Sequence, residues 1–385
     1  MGHFEGNVIS RAAAEALHRY QYHGSDKSLL YKYILSPLAE GLMVFIPMWM
    51  APNLVTVIGL LFTTASYVLM YYTAPGMRTE DTPSWVFPIA AFGLFIYQTL
   101  DNMDGKQARR TKSSSPLGLI FDHGCDAINC AFGIVFAACI INAGASLPLL
   151  AAVFLNQVVP FFTTTWEHYH TDRMILPIVN GPSEGVLLGI GAACLRGYYG
   201  IEFFDEPREV LRGATYGMAL IGFSLSGVLL TVLIQLVSVW KRRMETGRSM
   251  AVPLWDCSGF ALLLGASGFW ARSSPELFME IPYTMVTLLC VLHVDICVHM
   301  MVCHVSDIRS RPIRPLLLPF LLVMGNSVIP SGPLVKETYI IWGLTAVCFI
   351  YESMYLSTVV REVSMALGIH AFRLGTANAG SSKTS

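Results

Sequence analysis

Four aspartates near the junction of two apolar segments are the residues of this sequence best suited to chemistry. Asp101 and Asp104 end the first segment, and Asp122 and Asp126 lie inside the second. On a helix, spacings of three and four residues place each pair on one face. Carboxylates in apolar surroundings are costly unless they are paired or bound to cations. Because no cysteine and histidine set accompanies them, the pattern predicts a site for hard divalent cations, Mg²⁺ or Mn²⁺.

A glycine shares the face of the second aspartate pair. Gly118, Asp122 and Asp126 recur every four residues, so on a helix they form one stripe. A glycine leaves room for close approach to the backbone. The stripe therefore predicts that something bulky binds against this helix.

The composition is that of a membrane protein. The chain has 385 residues, of which 54% are hydrophobic and 13% charged, against about 25% charged in ordinary soluble domains. The formal net charge of -1 argues against nucleic acid as a partner. Apolar segments long enough to cross a bilayer predict an all-α polytopic protein with about ten transmembrane helices. They run roughly over residues 54–74, 84–101, 116–141, 147–166, 176–195, 215–240, 253–271, 280–303, 315–332 and 338–360.

Lysine and arginine are distributed unevenly between the two sides that ten spans define. With the N-terminus in the cytosol, nineteen of the 25 lie in cytosolic segments and six on the opposite side. Cytosolic loops of membrane proteins carry the excess of positive charge. The distribution therefore predicts an even number of spans and places the aspartates at the cytosolic face, which suits a nucleotide substrate.

The first fifty residues differ in character from the spans. Ser10–Tyr22 and Leu29–Trp49 mix apolar and charged residues, and prolines interrupt the second stretch. This pattern predicts amphipathic helices that lie at the membrane surface. A short first span over Leu42–Met50 is the alternative, although that stretch is too short to cross a bilayer.

The spacing around the aspartates resembles a known signature. The pattern D-x2-D-G-x2-A-R-x8-G-x3-D-x3-D is met at every fixed position from Asp101 to Asp126, and it is similar to that of the CDP-alcohol phosphotransferase family. Gly105 to Thr111 and Asp122 to Asp126 resemble the eukaryotic choline/ethanolaminephosphotransferase branch, whose ten-span length also fits. The resemblance implies a magnesium-dependent transfer of phosphocholine, phosphoethanolamine or both from CDP-choline or CDP-ethanolamine. The acceptor would be diacylglycerol or alkyl-acylglycerol, and CMP would be released.

The resemblance also implies roles for individual residues. Two ions held by the four aspartates would bridge phosphate oxygens and neutralise the leaving group. Arg109 would pair with phosphate oxygens, with snorkelling at the membrane interface as the alternative. Gly105 and Ala108 are small where a pyrimidine would pack close. Asn53 would reach the cytidine diphosphate, although on sequence alone it is a helix N-cap.

Two residues are candidates for the base that takes the proton of the lipid hydroxyl. Asp126 would have its lone pairs committed if it binds metal. The imidazole of His123, beside Asp122, has an ordinary pKa near the working pH. By resemblance we favour His123 over Asp126. The remaining interpretation is that His123 only hydrogen-bonds a metal-binding carboxylate.

Three further residues are candidates for the amine of the substrate. Glu184 is an intramembrane carboxylate that could balance an ammonium group, and Trp166 and Tyr169 could offer cation–π faces. For the two aromatic residues, a place in an interfacial aromatic belt is the alternative.

The resemblance divides the chain into a cytosolic amphipathic segment (1–50), the catalytic helices (51–240), a C-terminal four-helix region (241–362) and a disordered cytosolic tail (363–385). The four-helix region would form a lipid-access chamber or a homodimer interface. The expected location is the membrane of the endoplasmic reticulum or the Golgi.

Two other functions remain open on the sequence. The enzyme could use another alcohol, such as inositol. In a different class, the chain could be an ion-coupled transporter that uses its intramembrane carboxylates for cations.

Overall fold

The computed structural model describes residues 6, 8–178, 180–327, 329 and 333–375, and over them the chain is almost entirely helical. The helices are α1 (Arg11–Arg19), α2 (Ser36–Leu42), α3 (Pro52–Thr73), α4 (Val86–Arg110), α5 (Pro116–Ile140), α6 (Leu147–Thr171), α7 (Val186–Tyr199), α8 (Glu202–Asp205), α9 (Tyr216–Glu245), α10 (Ala251–Asp256), α11 (Ser258–Ser273), α12 (Pro275–Glu280), α13 (Pro282–Val305), α14 (Leu317–Ser327) and α15 (Glu337–Leu367). Two strands, β1 (Gly24–Asp26) and β2 (Met174–Leu176), pair in parallel.

Six helices of the described chain are long and apolar enough to cross a membrane: α3, α5, α6, α9, α13 and α15. Together with the near absence of strands, they confirm the predicted all-α polytopic membrane protein. The other four predicted spans each contain a helix, namely α4, α7, α11 and α14. Since α4 ends in a charged segment and the other three are short, the count of ten spans stays a prediction.

A short connection joins α4 to α5 and makes them an antiparallel hairpin. Ser115 caps α5 because its Oγ accepts a hydrogen bond from the N–H of Gly118 at 3.2 Å, and Pro116 occupies the first helical turn. α3 packs closely along α4. At Gly93 an added Cβ would lie 2.9 Å from the carbonyl oxygen of Phe62, so glycine permits this approach. The three helices together position the aspartates.

α13 lies at the centre of the molecule. It packs against α5, α6 and α15, and most of its residues are buried, among them Leu288, Leu292 and Met300. A single apolar core runs from α3 and α4 through α13 to α14 and α15. Of the last four predicted spans, those of α13 and α15 therefore contact α5 of the aspartate-bearing hairpin directly.

The N-terminal segment is helical in shorter pieces than the sequence predicts. Within Ser10–Tyr22 the helix is α1, which buries Ala13 and Leu17 in a cluster shared with α13 and α15. Within Leu29–Trp49 a π-helical turn leads into α2, and regular helix ends before Pro47, which cannot donate a backbone hydrogen bond. The location of these helices at the membrane surface stays a prediction.

Several predicted boundaries differ from the structure, and α4 continues to Arg110, past the expected end of its span at residue 101. The fifth span was expected from residue 176, but the helix begins with a π-helical turn over Gly181–Gly185, which Asn180 caps by accepting a hydrogen bond of 2.8 Å from the N–H of Ser183, and α7 follows from Val186. α15 continues to Leu367, past the expected end at 362. Residues 376–385 of the predicted tail lie outside the described residues.

Candidate active site

Three of the four aspartates come together between α4 and α5. Asp101, Asp122 and Asp126 each offer one carboxylate oxygen to a group in which these atoms lie within 4.8 Å of one another. Oδ1 of Asp101 is buried and lacks a hydrogen-bond partner in the described chain. Carboxylates this close repel each other unless a cation lies among them. The all-oxygen set fits a hard divalent ion.

Asp104 lies one turn further along α4 and is not part of this group. Its Oδ2 accepts a hydrogen bond of 2.5 Å from Oγ1 of Thr56, and the residue is buried. α3 thus fixes the carboxylate at the wall of the site. Its predicted role as a metal ligand stays a prediction.

The hydroxyl of Tyr97 is a contact that the sequence interpretation missed. It donates a hydrogen bond of 2.7 Å to Oδ1 of Asp126. Tyr97 stands one turn before Asp101 on the same face of α4, so the helical spacing was a signal that could have found it. The bond orients one of the clustered carboxylates.

The structure brings two predicted substrate-binding residues together. Asn53 is buried, and a Cβ added at Gly118 would lie 3.8 Å from its Oδ1. The side-chain amide of Asn53 donates a hydrogen bond of 2.9 Å to the carbonyl of Ala371, which follows α15. The C-terminal segment therefore takes part in forming this wall.

Arg109 stands at the mouth of the hairpin and is exposed to solvent. Its guanidinium lies over Gly105, where an added Cβ would be 3.6 Å from Nη1. Ala108 precedes it on α4 and is half-buried. Small residues beneath an exposed guanidinium leave space for a phosphate that two or more N–H groups could bind.

The neighbours of Arg109 hold the N-terminal segment instead of facing the site. Gln107 Nε2 donates to the carbonyl of Met50 at 2.7 Å, and Arg110 Nη1 donates to the carbonyl of Met43 at 2.9 Å. Lys106 forms an ion pair with Glu40 at 2.9 Å. At the exposed end of α4, Arg109 is therefore the cation directed to the site. The side chains of Lys106, Gln107 and Arg110 anchor the N-terminal segment.

Tyr22 of the N-terminal segment lies near the aspartates. Partial removal from water, together with the negative charge of Asp122, raises the pKa of Tyr22 to about 12, whereas Arg109 acts to lower it. Its ring centroid is 6.1 Å from that of His168. The protonated hydroxyl adds a polar group at the edge of the site that the sequence did not indicate.

His123 is buried and turns toward α6. Its ring centroid lies 6.2 Å from those of Phe161 and His168, and its Nδ1 is buried with no hydrogen-bond partner in the described structure. The ring centroid of His168 in turn lies 4.3 Å from that of His304, with the two rings tilted by 51°. The predicted base thus has an unengaged nitrogen and two further histidines behind it.

The three residues predicted for the amine do not converge. Trp166 is 1% exposed, and its indole N–H donates to a carbonyl of α10. Glu184 accepts hydrogen bonds from Ser28 Oγ at 2.5 Å and from the N–H of Asn180 at 2.9 Å. Tyr169 lines a separate cavity. Their roles at the amine stay predictions.

Comparison with known proteins assigns this geometry to a family. A model of the CDP-alcohol phosphatidyltransferase family matches residues 49–175, which contain the aspartate cluster. Choline/ethanolaminephosphotransferase 1 of Arabidopsis thaliana is 33% identical, with 95% of this chain and 98% of that protein covered. The chain belongs to the CDP-alcohol phosphatidyltransferase family. It is therefore a transferase, of a family that generally uses a divalent metal, and the carboxylate cluster offers a site for one.

Other relatives of this CDP-alcohol phosphatidyltransferase come from fungi and animals. Choline/ethanolaminephosphotransferase 1 of Saccharomyces cerevisiae is 38% identical over 51% of this chain and 49% of its own length. Ethanolaminephosphotransferase 1 of Mus musculus is 27% identical over 96% of this chain and 95% of its own. The similarity to the mouse protein thus extends over nearly the whole of this chain, the C-terminal helices included.

Proposed function

We propose that this CDP-alcohol phosphatidyltransferase transfers phosphocholine, phosphoethanolamine or both from a CDP ester to the hydroxyl of diacylglycerol or alkyl-acylglycerol. The products are the corresponding phospholipid and CMP. The proposal depends on the close group of Asp101, Asp122 and Asp126. This group occurs in a chain that is similar over 95% of its length to choline/ethanolaminephosphotransferase 1 of Arabidopsis thaliana.

The four aspartates would hold two divalent ions, Mg²⁺ or Mn²⁺. When bound, such ions neutralise the diphosphate and stabilise the leaving group. The chain prepares the ligands in advance, since Thr56 and Tyr97 each donate a hydrogen bond to a carboxylate, of Asp104 and Asp126 respectively. Such supporting bonds fix the orientation of ligands before a metal arrives.

The nucleotide would lie between α3 and the ends of the hairpin. Asn53 has its side-chain amide occupied by the Ala371 carbonyl, so its Oδ1, beside Gly118, is the group presented to the ligand. Gly105 and Ala108 leave room for the cytidine, and the exposed Arg109 would bind phosphate oxygens. Each of these contacts is independent of the acceptor lipid.

His123 would remove the proton of the acceptor hydroxyl. The hydroxyl O–H bond breaks as its oxygen bonds to the phosphorus that carries the amine alcohol, and the bond from that phosphorus to the CMP oxygen breaks. His123 is enclosed and its Nδ1 is unengaged in the described structure. Asp126 is the weaker candidate, because it already accepts the Tyr97 hydroxyl and belongs to the carboxylate group.

The proposal includes the cellular setting. The integral membrane protein would lie in the endoplasmic reticulum or the Golgi with its site facing the cytosol, as the excess of lysine and arginine on that side indicates. Residues 241–362 would give the lipid access to the site or form a homodimer interface. Glu184, Trp166 and Tyr169 remain the proposed contacts of the amine.

Release of CMP by the purified protein tests the proposal. We expect CMP from CDP-choline, CDP-ethanolamine or both, dependent on diacylglycerol and on Mg²⁺ or Mn²⁺, and its absence from the Asp122→Asn variant. CMP formed only from CDP-diacylglycerol and a soluble alcohol such as inositol would contradict the assigned donor and acceptor. Absence of CMP with every acceptor, accompanied by cation-coupled uptake in proteoliposomes, would favour a transporter.

A further inference from the structure

A second polar cavity lies where α6, α9 and α13 end, and its wall contains none of the proposed active-site residues Asp101, Asp104, Asp122, Asp126, Asn53 and Arg109. Its volume is about 440 Å³, within the range of roughly 300–1,000 Å³ that is usual for small-molecule sites. Its wall combines charges of both signs with one aromatic ring, from Arg242, Arg243, Arg248, Asp172, Asp307 and Tyr169. Apart from Tyr169, which is also proposed as a contact of the substrate amine, these residues have no role in the proposed reaction and do not belong to the signature.

On the basic side of the cavity, Arg242 and Arg248 are exposed, whereas Arg243 is half-buried and is held by a histidine. Arg243 Nη2 donates a hydrogen bond of 2.8 Å to Nδ1 of His170. Because Nδ1 accepts, the ring proton lies on Nε2, which is 3.3 Å from Oδ2 of the fully buried Asp256. The hydrogen bond to His170 fixes the Arg243 guanidinium at the wall, and Nε of Arg243 is buried without a hydrogen-bond partner in the part described. A guanidinium held in this way is prepared to bind an anion.

The acidic side comes from the ends of two other helices. Asp172 follows α6 and Asp307 follows α13, and both have the left-handed backbone conformation, with φ of 56° and 51°. Tyr169 is fixed beside them, since its hydroxyl donates to the carbonyl of Ile308 and accepts from the N–H of Ser310. Two carboxylates and an aromatic face are the groups that bind ammonium ions.

The cavity is close to the proposed active site but separate from it. Three histidine rings stand between them: His168 is 6.2 Å from His123 on the one side and 4.3 Å from His304, which lines the cavity, on the other. A ligand in the cavity therefore lies beyond His168, away from the aspartate cluster. A transferred headgroup would have to leave the aspartates to reach it.

We infer that this cavity is a second site that binds a zwitterionic phosphodiester, with the phosphate on Arg242, Arg243 and Arg248 and the ammonium on the side of Asp172 and Asp307. The inference rests on the proposed function in one respect, because the product lipids of that reaction carry this headgroup. The same chemistry is present in soluble glycerophosphodiesters. The membrane lipid and the soluble ester are therefore the two ligands that the experiment must distinguish.

Binding to the purified protein in a nonionic detergent tests the inference. Dihexanoyl phosphatidylcholine, kept below its micellar concentration, is titrated by calorimetry against the wild type and variants. We expect saturable binding with one ligand per chain, weakened at least tenfold in Arg243→Gln and Arg248→Gln and unchanged in Lys241→Gln, a matched control on the same helix end. Arg248 is exposed, so its substitution should not disturb folding.

Three further titrations identify the ligand. Asp307→Asn should weaken binding of the phosphatidylcholine but not of dihexanoyl phosphatidylglycerol, which lacks the ammonium. If glycerophosphocholine binds as tightly as dihexanoyl phosphatidylcholine, the soluble ester is the ligand. If glycerophosphocholine binds weakly, the lipid is the ligand. Displacement of the lipid by CMP would place it at the nucleotide site and overturn the inference. Equal affinity of the wild type and of both arginine variants for dihexanoyl phosphatidylcholine would also overturn the inference.

The binding measured in these titrations does not depend on catalytic turnover. The titrations are repeated on Asp122→Asn, which is expected to be inactive but to retain the cavity. Binding without CMP release in the wild type would contradict the proposed function alone. CMP release in a protein that shows no saturable binding would contradict the second site alone.

Discussion

The hydroxyl of Tyr97 on α4 donates a 2.7 Å hydrogen bond to Oδ1 of Asp126 on α5. This bond crosses the hairpin at the level of the clustered carboxylates, so one helix determines the orientation of a ligand carried by the other. Thr56 on α3 does the same for Asp104. The proposed metal site is thus shaped by residues on three helices, two of which supply its carboxylates.

Tyr97→Phe should weaken metal binding without emptying the site. Loss of a bond that orients a metal ligand typically costs about 10–100-fold in metal affinity or activity. We expect the Mg²⁺ concentration for half-maximal CMP release to rise within that range. Tyr67→Phe is the control, because Tyr67 is bonded to Thr287 on α13. Equal Mg²⁺ dependence in the wild type and Tyr97→Phe would show that Asp126 needs no such support.

Replacement of Asp101, Asp104, Asp122 or Asp126 by Asn should abolish turnover while the protein still inserts into the membrane. The amide keeps the shape but removes the charge that binds a cation. Insertion is measured as the amount of protein in the membrane fraction, and activity is measured as CMP release at saturating Mg²⁺. Near wild-type activity in two of the four variants would exclude a two-metal site made by these residues.

His123→Ala should lower the rate by roughly the 10²–10⁴-fold expected for loss of a general base. CDP-alcohol affinity and the Mg²⁺ dependence of turnover should be unchanged, since the aspartates and Arg109 remain. Asp126→Asn should weaken metal binding as well. A His123→Ala variant with normal turnover, or one rescued fully by more Mg²⁺, would assign the base to Asp126.

The orientation of the protein is tested by single cysteines on the two sides. A cysteine at Lys112, in the α4–α5 connection, should react with an impermeant maleimide applied from the cytosol. One at Val210, which is 80% exposed in the loop between α8 and α9, should react only after the internal membrane is opened. The reverse pattern in selectively permeabilised cells would overturn the cytosolic assignment.

The aspartate cluster could be predicted because it depends on local geometry. Asp122 and Asp126 share a face through helical spacing alone, and the short connection at Ser115 makes α4 and α5 neighbours. The contacts from Thr56 and Tyr97 depend on how helices pack, which periodicity does not specify. Neither Thr56 nor Tyr97 was therefore predicted as a residue of the site.

Contacts between distant segments could not be predicted at all. β1 is Gly-Ser-Asp and pairs with β2 over three residues, too few for an alternating pattern. Its position is fixed instead by polar contacts at the start of α7, where Ser28 bonds to Glu184. A carboxylate that the sequence suggested for the amine is thereby engaged with the N-terminal segment.

The hydrogen bond from Asn53 to the carbonyl of Ala371 joins residues 318 positions apart. At a ribosomal rate of 5–20 residues per second, roughly 15 to 60 seconds separate the synthesis of the two. The hairpin that carries the aspartates therefore enters the membrane long before this wall of the nucleotide pocket can be completed. With Asn53 in its proposed role, a nascent chain lacks a complete nucleotide site until residue 371 has been synthesised, so translation itself delays the onset of activity.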